Sequence, residues 1–408
     1  MLAMELEFRP PAEGDWPAFA AAMQETFIET WPENSAERLR GFADRARPLA
    51  GFDGERLEAT AGAYRHVMQV PGGSLPCTGI TWITVSARQR RRGVLREMMR
   101  RLHEAGAADG EPIAALYAAE GAIYNRFGFG VAARSIRVEV DSRELAALPV
   151  PPGRVIEVPH GEALLRFPVV FDEAVSGRPG VVARDSRWWE RILRQAASPA
   201  PGWMEPRFVV YVDASGRDRG IATMRLKGRE RGLLFDGKCR VMDMHCVDPE
   251  AASAVWRYAG SFDLVRTVSA RMRPADEPLA FLLPDLRQVR VSADEELWVH
   301  LSDPVAALQG RRYLSDGVVR FNVDDPAWPR AGGTYELSVS GGVGVCTRTT
   351  AGSDLDLSAA DLGAIYLGAT SPFQLAAAGR VVEHRRGAVA DAHRIFHWAP
   401  AAWGPDMW

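Results

Sequence analysis

The sequence predicts an α/β protein of the α+β kind, built as three successive units. Three observations point to that class. Residues 80–130 read strand, basic turn, helix, strand and short helix, ITWITVSARQRRRGVLREMMRRLHEAGAADGEPIAALYAAEGAIYNRFGFG. The same strand-then-helix order returns between residues 207 and 256, after the proline-rich break LPVPPG at 148–153. From about residue 296 the character changes again, to a run of strands that includes a Gly-rich antiparallel pair. A chain of 408 residues is also too long for one ordinary domain.

Taken in order, residues 5–8 predict an opening strand, and Asp15 is placed to cap a helix running through Phe19 and Met23 to Phe27, with Pro17 in its first turn. Strands are expected at 57–69 and 80–85, the second rich in β-branched and aromatic residues. The helix after Gly93 has Val94, Leu95, Met98, Met99 and Leu102 on one face and Arg96, Glu97, Arg100 and Arg101 on the other. The short apolar run 113–118 predicts a strand buried on both faces, and 134–140 a strand closing the sheet. In the second unit an amphipathic helix is expected at 184–193, strands at 207–212, 220–227 and 239–247, and a helix beginning at Asp248. In the third, strands are expected at 297–301, 317–323, 334–339 and 344–349. The domain limits are drawn at 1–147, 148–292 and 293–408.

The chemistry concentrates in the turn Arg90-Arg91-Arg92-Gly93. A helix that begins just after glycine presents unpaired N–H groups and a positive dipole end. Arginines beside it make a site suited to a pyrophosphate.

The R-R-R-G-V turn between strand and helix resembles the coenzyme A pyrophosphate loop of the GNAT acetyltransferases, and E-G-A-I-Y-N-R-F-G-F-G at 120–130 resembles the Eis type of aminoglycoside N-acetyltransferase. That resemblance implies two tandem GNAT-like domains, the second without a coenzyme site because its turn lacks R-R-x-G, then a sterol-carrier-protein-like domain. It implies transfer of acetyl from acetyl-CoA, with no metal, to a primary amine of a cationic small molecule by direct attack. It also implies a homo-oligomer, a hexamer. Two other classes stay open: an enzyme whose acceptor is a protein lysine, peptide or polyamine, and a non-catalytic lipid or ligand carrier using the third domain.

Within the resemblance, Ile83, Thr84 and Val85 pair with the pantetheine arm, and Arg91, Arg92, Gly93, Val94, Leu95 and Arg96 wrap the pyrophosphate. Ala119 and Glu120 border the coenzyme, with Ala119 standing where a serine is common. Tyr124 is the expected proton donor to the departing thiolate; a phenol has an ordinary pKa near 10 and a thiol one near 8.5. The proton acceptor is expected to be the carboxylate of the last residue, Trp408, in W-G-P-D-M-W. Enclosure by Trp and Met side chains would raise its pKa. Met407 replaces an acidic residue of the family. Phe27, Glu29, Trp31 and Trp82 are candidate walls of the acceptor site, with stacking faces and one carboxylate for a cation; core packing is the competing use of the aromatics.

Composition narrows the rest. With 47% hydrophobic and 25% charged residues and a net charge of −3, nothing favours nucleic acid. No apolar run reaches the roughly 18 residues of a membrane span. The acidic N-terminus has no signal-peptide core, and the four scattered cysteines fit reduced thiols, so a cytoplasmic protein is expected. Asp243 and His245 share a strand face while Cys246 points away, a poor metal set, and His393 and His397 lack a partner glutamate. No P-loop and no Ser–His–Asp arrangement is visible.

Overall fold

A computed structural model describes residues 6–228, 230–231 and 234–408. Its contacts divide into two compact units. The first holds Met1–Ala133, Glu296–Ala399 and Asp406–Trp408; the second holds Arg134–Glu295 and Pro400–Pro405.

In the first unit the elements begin with β1 (Glu7–Arg9), α1 (Trp16–Phe27), α2 (Ser35–Arg40), β2 (Leu49–Asp53), β3 (Arg56–Val70) and β4 (Gly73–Val85). They continue with α3 (Val94–Ala108), β5 (Ile113–Tyr117), α4 (Gly121–Tyr124) and β6 (Gly130–Asp141), whose first residues belong to this unit. Glu5 of the expected opening strand lies outside the described residues. β1 to β4 pair antiparallel in sequence order, β5 joins β4 in parallel, and the end of the strand Val289–Leu301 pairs antiparallel with β5, Leu297 opposite Tyr117. The apolar stripe of α3 does what its period predicts. Val94, Met98, Met99 and Leu102 are buried in one cluster with Ala59, Ala61 and Ala63 of β3 and Ala114 and Leu116 of β5, and the small alanine side chains let the helix approach the sheet. On the outer face Glu97 bonds Arg100 and Arg101, which hold its carboxyl down at about 2. Asp15 does not cap α1. It sits at helical φ and ψ, makes no cap bond, and instead accepts from Ala12 N–H and Arg9.

The later part of this unit is a five-stranded sheet, in the order Val343–Arg348, Gly333–Ser340, Gly317–Asp324, Leu355–Ser358 and Val382–Glu383, with the helices Ala359–Tyr366 and Ala388–Phe396. Ser358 caps the first helix in a reciprocal box with Asp361. A polar chain runs through the interior. His300 Nε2 bonds Asp325 Oδ2 at 2.8 Å with both side chains fully enclosed, and the Ser302 hydroxyl bridges His300 Nδ1 at 3.3 Å and His103 Nδ1 at 3.1 Å. The sequence shows no Ser–His–Asp set; the fold makes one by bringing Asp325, just after the strand Gly317–Asp324, to His300 near the end of the strand Val289–Leu301 and Ser302 just beyond it.

In the second unit the rest of β6 pairs with Val265–Pro274, followed by Gly237–Cys246, Asp218–Lys227, Arg207–Val212 and Arg154–Val158. The helices are His160–Ala174, Ser186–Ala196 and Pro249–Gly260, the last capped by Asp248. The turn into that last helix carries no arginine triplet. Asp243 and His245 do share a face, bonding each other at 2.6 Å while Arg184 holds Asp243 at 3.0 Å.

Candidate active site

Two irregularities of β4 build the site. The first is a bulge. Thr60 of β3 faces Thr84, but Gly62 faces Thr81, so one extra residue is accommodated around Trp82 and Ile83. Trp82 takes φ +57°, a left-handed conformation that costs a non-glycine residue energy. Neighbouring groups hold it there. The Thr60 hydroxyl donates to the Trp82 carbonyl at 2.7 Å and meets Thr84 Oγ1 at the same distance. The indole lies over Gly62, where a Cβ would come within 2.6 Å of Cε3. Trp16, Phe19 and Tyr64 enclose its edges.

The second is a parting of strands. β4 and β5 pair only at Cys77–Ile113, Thr78–Ala114 and Gly79–Ala115. Beyond that point β4 runs on to Val85 and β5 to Tyr117 without pairing to each other. Trp408 sits where they part. Its indole Nε1 donates to the Ile80 carbonyl at 3.2 Å, and its main-chain oxygen accepts from Thr81 Oγ1 at 2.9 Å. Its ring meets Tyr117 edge-on and tilts against His66, each at 4.7 Å between ring centres. Gly79 makes room, since a Cβ there would lie 2.4 Å from His66 Cδ2 and 3.3 Å from the Trp408 nitrogen.

The basic turn follows the C-terminal end of β4, a few residues beyond the bulge. Gly93 stands at φ +88° as the N-terminal boundary of α3, with no side chain capping the helix and open space where a Cβ would be. Among the described residues Arg91 and Arg96, both exposed, have no carboxylate partner, and Arg92 bonds Gln89 and no carboxylate. The turn therefore presents helix N–H groups and uncompensated positive charge together, which fits an anionic pyrophosphate. Val94 is core, Leu95 is half-buried, and Thr84 is buried against Thr60.

Ala119 and Glu120 are exposed in the bend after β5, and Tyr124 closes α4 at 8% exposure. Burial, and secondarily the Glu120 charge, push the phenol up to about 12. Its hydroxyl makes no hydrogen bond to the described residues. Of the expected acceptor-site residues, Glu29 and Trp31 come together on the loop after α1, where Trp31 Nε1 donates to Glu29 Oε2 at 2.7 Å, and Phe27 is 37% exposed. Trp82 is 6% exposed, in an aromatic cluster with Trp16, Phe19 and Tyr64. Sequence reasoning missed Thr81, His66 and Tyr117. Thr81 and Tyr117 lie in strands that were recognised, but no local pattern marks a contact with a residue some 300 positions on.

Comparison with known proteins agrees with this geometry. Residues 7–132 and 180–320 each match an acetyltransferase (GNAT) domain, and residues 304–405 match a sterol carrier protein domain. The N-acetyltransferase Eis of Mycobacterium tuberculosis is 30% identical over 91% of this chain and 92% of its own. The chain belongs to the Eis family of N-acetyltransferases. An uncharacterised N-acetyltransferase of Streptomyces avermitilis is 37% identical over 88% of each chain. The crystal structure of Eis1 from Mycobacterium abscessus superposes with a TM-score of 0.85 at 25% identity, covering 98% of this chain and all of the other. This Eis-family chain is thus an acyltransferase with two GNAT domains and a sterol-carrier-like domain.

Proposed function

We propose that this enzyme transfers acetyl from acetyl-CoA to a primary amine of an aminoglycoside-like cationic small molecule, by direct attack of the amine on the thioester. The observation that carries this reading is the seat of Trp408 at the parted strands, in one compact unit with the bulge, the arginine turn and Tyr124.

In this reading the N–H groups of the α3 N-terminus, with Arg91, Arg92 and Arg96, hold the pyrophosphate, and the β4 backbone from Ile83 to Val85 aligns the pantetheine arm. Strand N–H groups at the bulge face the carbonyl oxygen that gains charge. The α-carboxylate of Trp408, oriented by the Thr81 hydroxyl, takes a proton from the acceptor's ammonium directly or through water, and the neutral amine so formed attacks the thioester carbonyl. Tyr124 gives its proton to the departing thiolate and regains one from solvent. Glu29, with Phe27 and Trp31, attracts the cationic acceptor.

The test is thiol release from acetyl-CoA across a panel of aminoglycosides, polyamines and lysine peptides. The reading expects aminoglycosides such as tobramycin to give the highest kcat/KM. Turnover confined to peptides or polyamines would replace the acceptor, and absence of coenzyme binding would remove the reaction.

A further inference from the structure

The segment leading to Trp408 is fastened in the second unit. Residues 400–405 are counted with that unit, whereas 406–408 are counted with the first. Trp403 is 4% exposed. Its indole Nε1 donates to the Met272 carbonyl at 2.8 Å, and its backbone N–H donates to the Pro179 carbonyl at 2.8 Å. The Met272 carbonyl lies where Val265–Pro274 slips register against β6, between Ala270 and Arg273, and Met272 takes φ +53°.

Ala401 is held from both sides. Its N–H donates to Asp276 Oδ2 at 3.1 Å, and its carbonyl accepts from Arg178 Nη1 at 3.0 Å; Arg178 is itself paired with Asp276 at 2.8 Å. The Trp403 ring lies 5.3 Å from the His245 ring, which Asp243 fixes, and the guanidinium groups of Arg178 and Arg273 lie 5.9 and 5.5 Å from its centre.

We propose that Trp403 is a positioning residue for the acetyl transfer: fastened five residues before Trp408, it shortens the free length of the tail and so limits the excursions of the Trp408 carboxylate during proton transfer. The inference rests on the reading of Trp408 as the proton acceptor.

The test uses the full-length enzyme. In Trp403→Ala, kcat is expected to fall roughly 100-fold, the loss that a misplacement of about 1 Å brings. Coenzyme A affinity by calorimetry should stay within about twofold, and carboxypeptidase should release Trp408 faster. Trp403→Phe, which keeps a ring and loses the indole bond, should recover part of the rate. If Trp403→Ala does not fold, Asp276→Ala, which removes the Ala401 and Arg178 contacts from a partly exposed position, is read in the same way. A tail freed to carboxypeptidase with kcat unchanged would overturn the proposal, as would a fall in kcat that only follows coenzyme affinity. One residue appended after Trp408 separates the two readings. If the extension cripples turnover but Trp403→Ala does not, only the positioning role fails. If the extension is harmless, the proton-acceptor reading fails first and takes the positioning role with it.

Discussion

Thr81 Oγ1 donates a 2.9 Å hydrogen bond to the main-chain oxygen of Trp408, joining positions 327 residues apart. Thr81 lies on β4 at the edge of the bulge, so one strand both carries the bulge and holds the final residue. In the proposed reaction this bond orients the proton acceptor. Thr81→Val removes it with little change of shape. A hydrogen bond to a charged group contributes about 1.5–3 kcal/mol, so kcat should drop about 10- to 100-fold. Steady-state kinetics with calorimetry checks this; equal losses in kcat and coenzyme affinity would point to a disturbed bulge instead.

Tyr124→Phe should lower kcat by about 10²- to 10⁴-fold, the range of general acid–base contributions, with coenzyme affinity nearly unchanged. The wild-type phenol, pushed up to about 12, stays protonated through neutral and mildly alkaline pH. The kcat profile should therefore show no alkaline fall below about pH 10 from loss of this proton. A fall centred near pH 8 that vanishes in the Phe variant would contradict the assignment.

Gly62→Ala puts a methyl group 2.6 Å from the Trp82 ring, on a residue already held at positive φ. Overpacking of this kind costs about 1–3 kcal/mol. Because Trp82 is the bulge residue, the variant should lose thermal stability and coenzyme affinity together. Retention of both would show that the bulge does not depend on this contact.

His103 is enclosed by His300, Ser302, Trp328 and Phe129, and burial, with the nearby His300, holds its imidazole well below the usual value near 6.5. The unfolded chain takes up a proton on this residue as pH falls below about 6.5, while the folded chain does not. Stability is therefore complete above that pH and lost below it, by at most about 1.4 kcal/mol per pH unit for this group. His245, lowered mainly by burial, adds to the fall with the same sign. Urea unfolding at pH 7.5 and 5.5 should give a smaller difference in His103→Gln than in wild type. An unchanged difference would remove His103 from the account.

The strand, turn and helix from β4 to α3 were legible because they are local. Period, glycine and charge fix them within 30 residues. The bulge was not, because it depends on how Thr60 and Gly62 of a different strand meet Thr84 and Trp82. Trp82 shows the limit most clearly, since an aromatic in a strand reads equally as a cavity wall or as packing, and Trp16, Phe19 and Tyr64 enclose it. Gly130 of the F-G-F-G motif belongs to the motif by resemblance. Its physical reason is tertiary, since a Cβ there would fall 1.7 Å from the Ala360 carbonyl oxygen. Asp15 failed as a cap because Arg9 and Ala12 N–H take its carboxylate. The Asp325–His300–Ser302 chain escaped the sequence because its members meet only after the sheet forms.

The most direct test of the central claim is the turnover of the enzyme carrying one extra glycine after Trp408, with coenzyme A affinity measured on the same preparation. The account predicts that kcat falls at least about 100-fold, in the range of a lost general base, while coenzyme A binds as before. A kcat within twofold of wild type would contradict it.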